Sequence, residues 1–323
     1  MKWPTGLAWD SRGILLGVVY AMPAAVLVLS DVPRGLGAAV GVVPAAVVGL
    51  APTRRGRRFL AVLGFLVGVP IFVGSLVAPV PAVAVAVLIL FGLAAAWLTR
   101  RGSRFGQVAL SLGMPMIGVG LSYTDHATAA GLALIMIGGS LYACAVSMLW
   151  PESIAPPRAP APAAPTMRYG LRLGLAGATA AAIGFALDLD HVGWAATAAM
   201  LVMRPAREMQ QLRSVGRLIS VVAGATIGIA IARLEPPAAV YSVLILTIVA
   251  VVAATNRSRW YITPAFTTLI VFLLLLQSNP SSAASRFGER VSETVLGVGL
   301  AYVFGLALPH LRRRLNVSTH DGL

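Results

Sequence analysis

The stretch from His191 to Leu234, HVGWAATAAMLVMRPAREMQQLRSVGRLISVVAGATIGIAIARL, decides how the whole chain is read. A mostly apolar run, Val192 to Met203, is stopped by Arg204-Pro205. Proline supplies no backbone donor and pushes its predecessor out of helical geometry, so a first helix is expected to end there. A polar turn carrying Arg207, Glu208, Arg213 and Arg217 is expected next, followed by a second apolar helix. That helix places Gly216, Ser220, Gly224, Gly228 and Ala232 at four-residue spacing. A stripe of small side chains of this kind lets helix backbones approach closely within a membrane.

Composition points the same way. Hydrophobic residues make up 58% of 323 positions, charged residues only 11%, and mean hydropathy is +0.85. A soluble domain carries about a quarter charged residues, so the chain reads as an all-α integral membrane protein. The net charge of +14 raises nucleic acid as a partner, but the arginines sit in short clusters between apolar runs. They read as topology signals facing a lipid bilayer and exclude a basic nucleic-acid face. Cys144 is the single cysteine, and no His-x-x-x-His or Cys-x-x-Cys spacing occurs, so neither a disulfide framework nor a metal site is expected. Phosphate-loop and nucleophile-elbow signatures are missing too, which argues against an enzyme or a bound cofactor. One lysine against 24 arginines, with abundant Ala and Gly, suggests a bacterial source and hence an inner (plasma) membrane.

The chain repeats itself at an offset of 156 residues. Val87-Leu88-Ile89-Leu90 matches Val243-Leu244-Ile245-Leu246, Arg101 matches Arg257, Pro81 matches Pro237, and Arg57 matches Arg213. Gly37 and Gly68 find Gly193 and Gly224 at the same offset. Weak repeats of this type mark transporters built from two halves. Each half holds six apolar runs, giving about 12 transmembrane helices as two six-helix repeats. The run ending at Met203 is short enough to suggest a half-crossing or re-entrant helix. The boundaries expected are 1–150 for the first repeat, 151–167 for a Pro/Ala-rich linker, 168–310 for the second repeat and 311–323 for a basic tail. Six prolines between Pro151 and Thr166 keep the linker from forming a stable helix. Arginine-rich loops alternate with loops poor in basic residues, which places both termini in the cytoplasm and makes the repeats parallel. An N-terminal secretory signal is rejected because the run Gly13–Leu29 recurs as the seventh span, with Arg12 corresponding to Arg168.

The pattern of Trp194, a short apolar run, Arg204-Pro205 and an arginine entering a glycine-spaced helix resembles the fusaric acid resistance (FUSC) family. The resemblance continues through Asn256-Arg257-Ser258-Arg259-Trp260 and ends in RFGERVSETVLGVGLAYVFGLALP, Arg286 to Pro309. It covers about Met167 to Pro309, and the first half resembles a degenerate copy. The family includes bacterial aromatic acid exporters, and the aluminium-activated malate channels of plants are more distant relatives. The resemblance implies membrane export of small organic anions, aromatic carboxylates among them. It also singles out Arg204, Arg217 and Arg257 at the positions that match the motif.

Charge beside or inside a bilayer is costly and commonly functional. Arg286, Arg290, Glu293 and Gly297 share one helical face, with Glu289 beside them. They read either as the wall of an anion pathway, with Glu289 and Glu293 gating or balancing the arginines, or as a helix start solvated from outside. A guanidinium offers a planar donor fork suited to a carboxylate, so Arg204, Arg217, Arg257, Arg286 and Arg290 are the expected substrate-binding residues. Trp194 is added as an aromatic surface, although aromatic residues in spans are more often packing or interfacial anchors. Asp188, Asp190 and His191 precede the short helix; a histidine beside carboxylates can titrate near neutral pH and couple protons, and the same residues also fit a solvated loop. The function expected is export of small organic anions, driven by the membrane potential or a proton gradient. The alternative is a non-transporting scaffold or accessory subunit of a cell-envelope complex. A second copy of the chain or an envelope protein is the partner either reading admits.

Overall fold

A computed structural model describes residues 8–153, 165–258, 262–278 and 283–310. Among these residues every regular element is helical. The first half carries α1 (Ser11–Val28), α2 (Val32–Val48), the short α3 (Arg54–Arg57), α4 (Phe59–Val77) and α5 (Pro81–Arg100). It continues with α6 (Arg104–Val108), which runs through a π-helical turn, Ala109–Gly113, into α7 (Met114–Leu121), and then α8 (His126–Met148). The second half carries α9 (Met167–Ala186), α10 (Gly193–Val202), α11 (Arg207–Arg233), α12 (Ala238–Ala254), α13 (Ile262–Ser278) and α14 (Ala283–Tyr302). A second π-helical turn, Val303–Ala307, extends α14. Most of the Pro/Ala-rich linker, residues 154–164, lies outside the described residues, as do Arg259, Trp260, Tyr261 and the basic tail 311–323.

Six helical stretches are long and apolar enough to cross a bilayer: Ser11–Val28, Arg54–Val77, Pro81–Arg100, His126–Met148, Arg207–Arg233 and Ala283–His310. Shorter apolar helices occupy Val32–Val48, Phe105–Leu121, Gly193–Val202, Ala238–Ala254 and Thr263–Gln277. The helix at Gly193–Val202 has 10 residues. At 1.5 Å per residue it spans about 15 Å, half of a ~30 Å hydrocarbon layer.

Helix boundaries follow local chemistry. Asp10, Asp31, Thr53, Ser103 and Thr166 each cap a helix N-terminus by accepting from a backbone N–H of the first turn. Pro81 opens α5, where a missing donor costs nothing. One boundary differs from the sequence reading. The segment expected as a polar turn after Pro205 is helical from Arg207 onward, so α11 has 27 residues. Arg207-Glu208-Met209-Gln210-Gln211-Leu212-Arg213 consists entirely of straight-chain or Leu side chains with high helix propensity. Glu208 in the first turn also complements the helix dipole.

The chain divides into two compact units. The first draws on Met1–Val69, Ala130–Ala161 and Gly216–Val291. In it α1 lies along α12 and α2, and α2 also meets α13. The α1–α12 approach is close because of Gly13, where a Cβ would sit 2.7 Å from the Ala253 carbonyl oxygen. The portion of α11 from Gly216 packs on α13 through its small-residue stripe: a Cβ on Gly224 would lie 2.5 Å from the Ala265 carbonyl oxygen. Ala225, Phe272, Leu276 and Ala283 form the buried cluster at this contact.

Arg57 is fully buried in the same unit, at 0% exposure. Its Nε donates to the Ala51 carbonyl at 2.9 Å. Nη1 donates to Ser147 and Trp150, and Nη2 to Pro52 and Pro151. Five carbonyls from two separate chain segments therefore converge on one cation.

The second unit draws on Pro70–Ala129, Pro162–Val215 and Ser292–Leu323. Here α5 lies along α9, and α10 packs on α9 and α7. Nearly every residue of α10 is buried. The Thr197 hydroxyl donates to the Pro115 carbonyl at 3.1 Å. Gly297 admits the Ala195 carbonyl, which a Cβ there would approach to 2.4 Å.

Candidate anion site

Arg217 is the first cation of α11 that falls inside the apolar part of that helix. Its neighbour Gly216 begins the small-residue stripe, so the guanidinium leaves the helix next to a tight helix–helix contact. The side chain is 5% exposed. Its Nε is buried and finds no hydrogen-bond partner among the described residues. The charged group that acts on it is Arg290 of α14, itself 9% exposed. Two like charges removed from water within electrostatic reach of each other repel, and burial weakens the screening.

On α14, Arg286 lies one turn before Arg290 and Glu289 immediately before it, and both are partly exposed. Both have interactions of their own, as does Arg290. In the second unit Glu293 is 2% exposed, which makes it the most deeply buried acidic side chain of that helix, and it too is engaged.

Arg204 stands at the C-terminal end of α10. Its Nη1 donates to the Met203 carbonyl at 2.6 Å and reaches the Met200 carbonyl at 3.5 Å. The Tyr169 hydroxyl donates to the same Met203 carbonyl at 3.0 Å. Arg213 extends to the Leu201 carbonyl at 3.5 Å. Two cations thus meet the carbonyl end of a helix whose dipole is negative there. Burial pulls the Arg204 guanidinium below its ordinary pKa, and the neighbouring Tyr169 pulls it partly back. Arg204 is therefore held by the helix end, with its donors directed at backbone.

At the opposite end of α10, Trp194 is 8% exposed and stacks on His191 with ring centroids 4.0 Å apart. Asp188 and Asp190 are exposed, and Asp188 adopts a left-handed backbone with φ of 50°. Arg257 is exposed and lines a different space, a cavity of about 680 Å³ bounded by the N-terminal end of α1 and the ends of α2 and α12. No other residue of the expected site lines that cavity.

Sequence reasoning missed Gln210. It is fully buried, and its Nε2 donates to the Ala301 carbonyl at 2.6 Å, just before the π-helical turn of α14. A side chain that satisfies a helix carbonyl from outside is a recognised origin of such irregularities. The signal was present as an uncharged amide within a charged segment.

Residues 179–310 match a family model described as fusaric acid resistance protein-like. No curated protein and no solved structure matches the chain. The matched range contains α10 through α14 and with them Arg217 and Arg290. With its set of long apolar helices, the chain is a multi-pass membrane protein.

Proposed function

We propose, from the fusaric acid resistance protein-like character of residues 179–310, that this chain is a membrane transporter that exports small organic anions. The observation that carries the proposal is the buried Arg217 guanidinium, whose Nε lacks a hydrogen-bond partner among the described residues and which feels the like charge of Arg290. A cation inside a bilayer costs at least ~2.5 kcal/mol even on insertion scales. The Arg217 guanidinium, whose Nε has no hydrogen-bond partner among the described residues, gains compensation when a carboxylate meets it with bidentate geometry. With the cell interior negative, outward movement of one negative charge gains ~2.3 kcal/mol per 100 mV. An anion leaving by a gated route therefore requires neither ATP nor obligatory proton coupling. Arg286 and Glu289 stand along the same helix as the outer section of that route.

The architecture proposed is two parallel six-helix repeats with both termini cytoplasmic in an inner membrane. It is supported by the helix pairing within the two units. At the 156-residue offset, α1 and α12 correspond to α9 and α5, and each of these pairs is in contact. Likewise α2 with α13 corresponds to α10 with α7, and both pairs touch.

The test is efflux of a radiolabelled benzoate from proteoliposomes under an imposed potential. Arg217→Gln and Arg290→Gln are each expected to lower flux at least tenfold, with protein incorporation unchanged. Flux equal to wild type in both variants would remove the pair from the pathway. Wild-type protein that carries no flux would favour the scaffold reading.

A further inference from the structure

The cavity beside Arg257 is polar, open to one side and remote in composition from the Arg217–Arg290 pair. Its wall includes Trp9, Ser11 and Arg12 from the start of α1, Ser153, and Arg257 after α12. Its volume of about 680 Å³ lies within the range of small-ligand sites. The strap before α1 is pinned in place. The Ser258 hydroxyl donates to the Ala8 carbonyl and accepts from the Ala8 N–H, both at 2.9 Å. The Asp10 N–H donates to the Ala254 carbonyl at 2.9 Å. The wall is thus a formed surface.

Charge decides what it accepts. The lining carries two guanidinium groups and one carboxylate. That carboxylate, Asp10, already caps α1 by accepting from the Arg12 N–H at 3.0 Å. Among the described residues neither Arg12 nor Arg257 makes a side-chain hydrogen bond or ion pair. The cavity therefore favours a monoanion with hydroxyl groups that can meet Ser11 and Ser153. The neighbouring face of α1 adds a second requirement. Ser11, Leu15, Met22 and Val26 fall on one side of the helix, and the three apolar residues are exposed. An apolar strip that starts at a cationic cavity matches a molecule with an anionic head and hydrocarbon tails.

We propose that this cavity binds the headgroup of an anionic phospholipid of the phosphatidylglycerol type. The phosphate sits between Arg12 and Arg257, the glycerol hydroxyls face Ser11 and Ser153, and an acyl chain lies along Leu15, Met22 and Val26. Trp9 occupies the interfacial level where indole rings are favoured. Basic pockets at the ends of membrane helices are suited to such headgroups. The site is separate from the transport reading and does not depend on it.

The test uses the delipidated full chain in detergent, titrated with dioleoylphosphatidylglycerol and read by native mass spectrometry. The expected result is saturable binding of one lipid, with dioleoylphosphatidylethanolamine at least tenfold weaker. Arg12→Gln/Arg257→Gln should weaken binding at least tenfold, since hydrogen bonds to charged groups are the stronger class. Arg12→Lys/Arg257→Lys should keep most of it, and Arg34→Gln, which alters an exposed arginine paired with Asp31, should keep all. Single Arg12→Gln serves if the double variant fails to fold. Equal binding of the two lipids, no loss in the Gln variants, or an equal loss in Arg34→Gln would overturn the proposal. Competition by sn-glycerol 1-phosphate at concentrations matching the lipid would overturn it in favour of a soluble oxyanion.

Discussion

Replacing Arg57 with methionine should destabilise the first unit by about 2–4 kcal/mol, because a buried acceptor left unsatisfied costs about 1–3 kcal/mol and more than one is stranded here. The side chain has no solvent exposure and meets five carbonyls, those of Ala51, Pro52, Ser147, Trp150 and Pro151. Hydrogen bonds to a charged donor contribute about 1.5–3 kcal/mol each, but five bonds from one planar group share its desolvation cost and do not add. The Ser147 carbonyl is the most buried of the acceptors and would be left without its cation. Lysine should recover less than half, because an ammonium presents three donors from one point and cannot serve acceptors spread around a guanidinium plane. The assay is reversible unfolding in mixed micelles with added SDS, paired with hydrogen exchange over residues 147–153. The control is Arg55→Met, since Arg55 is exposed in the same cluster and should change stability by less than ~0.5 kcal/mol. Loss in Arg57→Met within 1 kcal/mol of the control, or full recovery by lysine, would refute the clamp.

Gly224→Val should lower the unfolding midpoint and speed exchange in α13, because overpacking costs about 1–3 kcal/mol and here the obstruction is the Ala265 backbone. Gly288→Ala makes no close contact and should keep or slightly raise stability through helix propensity; equal effects of the two would discount the close approach. Gln210→Leu should expose the Ala301 carbonyl and accelerate exchange across residues 303–308, at a cost of about 1–3 kcal/mol. Unchanged exchange there would mean that the π-helical turn does not depend on the amide.

Helix positions were legible because apolar runs in this chain are bounded by arginine, proline or aspartate, which either cap or terminate helices. The start of α11 was misread because charge was weighed above helix propensity. The burial of Arg57 is not legible in sequence for a different reason. In sequence it is one of four arginines between Arg54 and Arg58, and nothing local separates it from its neighbours. What buries it is a set of carbonyls 90 or more positions later. Arg204 shows the same limit, since an arginine after a helix suits a ligand or the helix's own carbonyls equally well. Arg217 was easier, as a cation within an apolar run announces itself. That Arg290 exerts a like charge on it depends on three-dimensional placement, which local sequence does not carry.

The pairing of α1 with α12 bears on how the protein is made. Roughly 210 residues separate the two helices, and at 5–20 residues per second a ribosome needs about 10–40 s to bridge that interval. Throughout it the opening helix waits in the bilayer without the neighbour that covers its glycine face, and α5 must likewise await α9. Assembly is then necessarily late and non-local, a topology that folds slowly. A nascent chain arrested after α8 should accordingly be inserted yet still open to proteases and quality control, maturing only once the second half has been delivered.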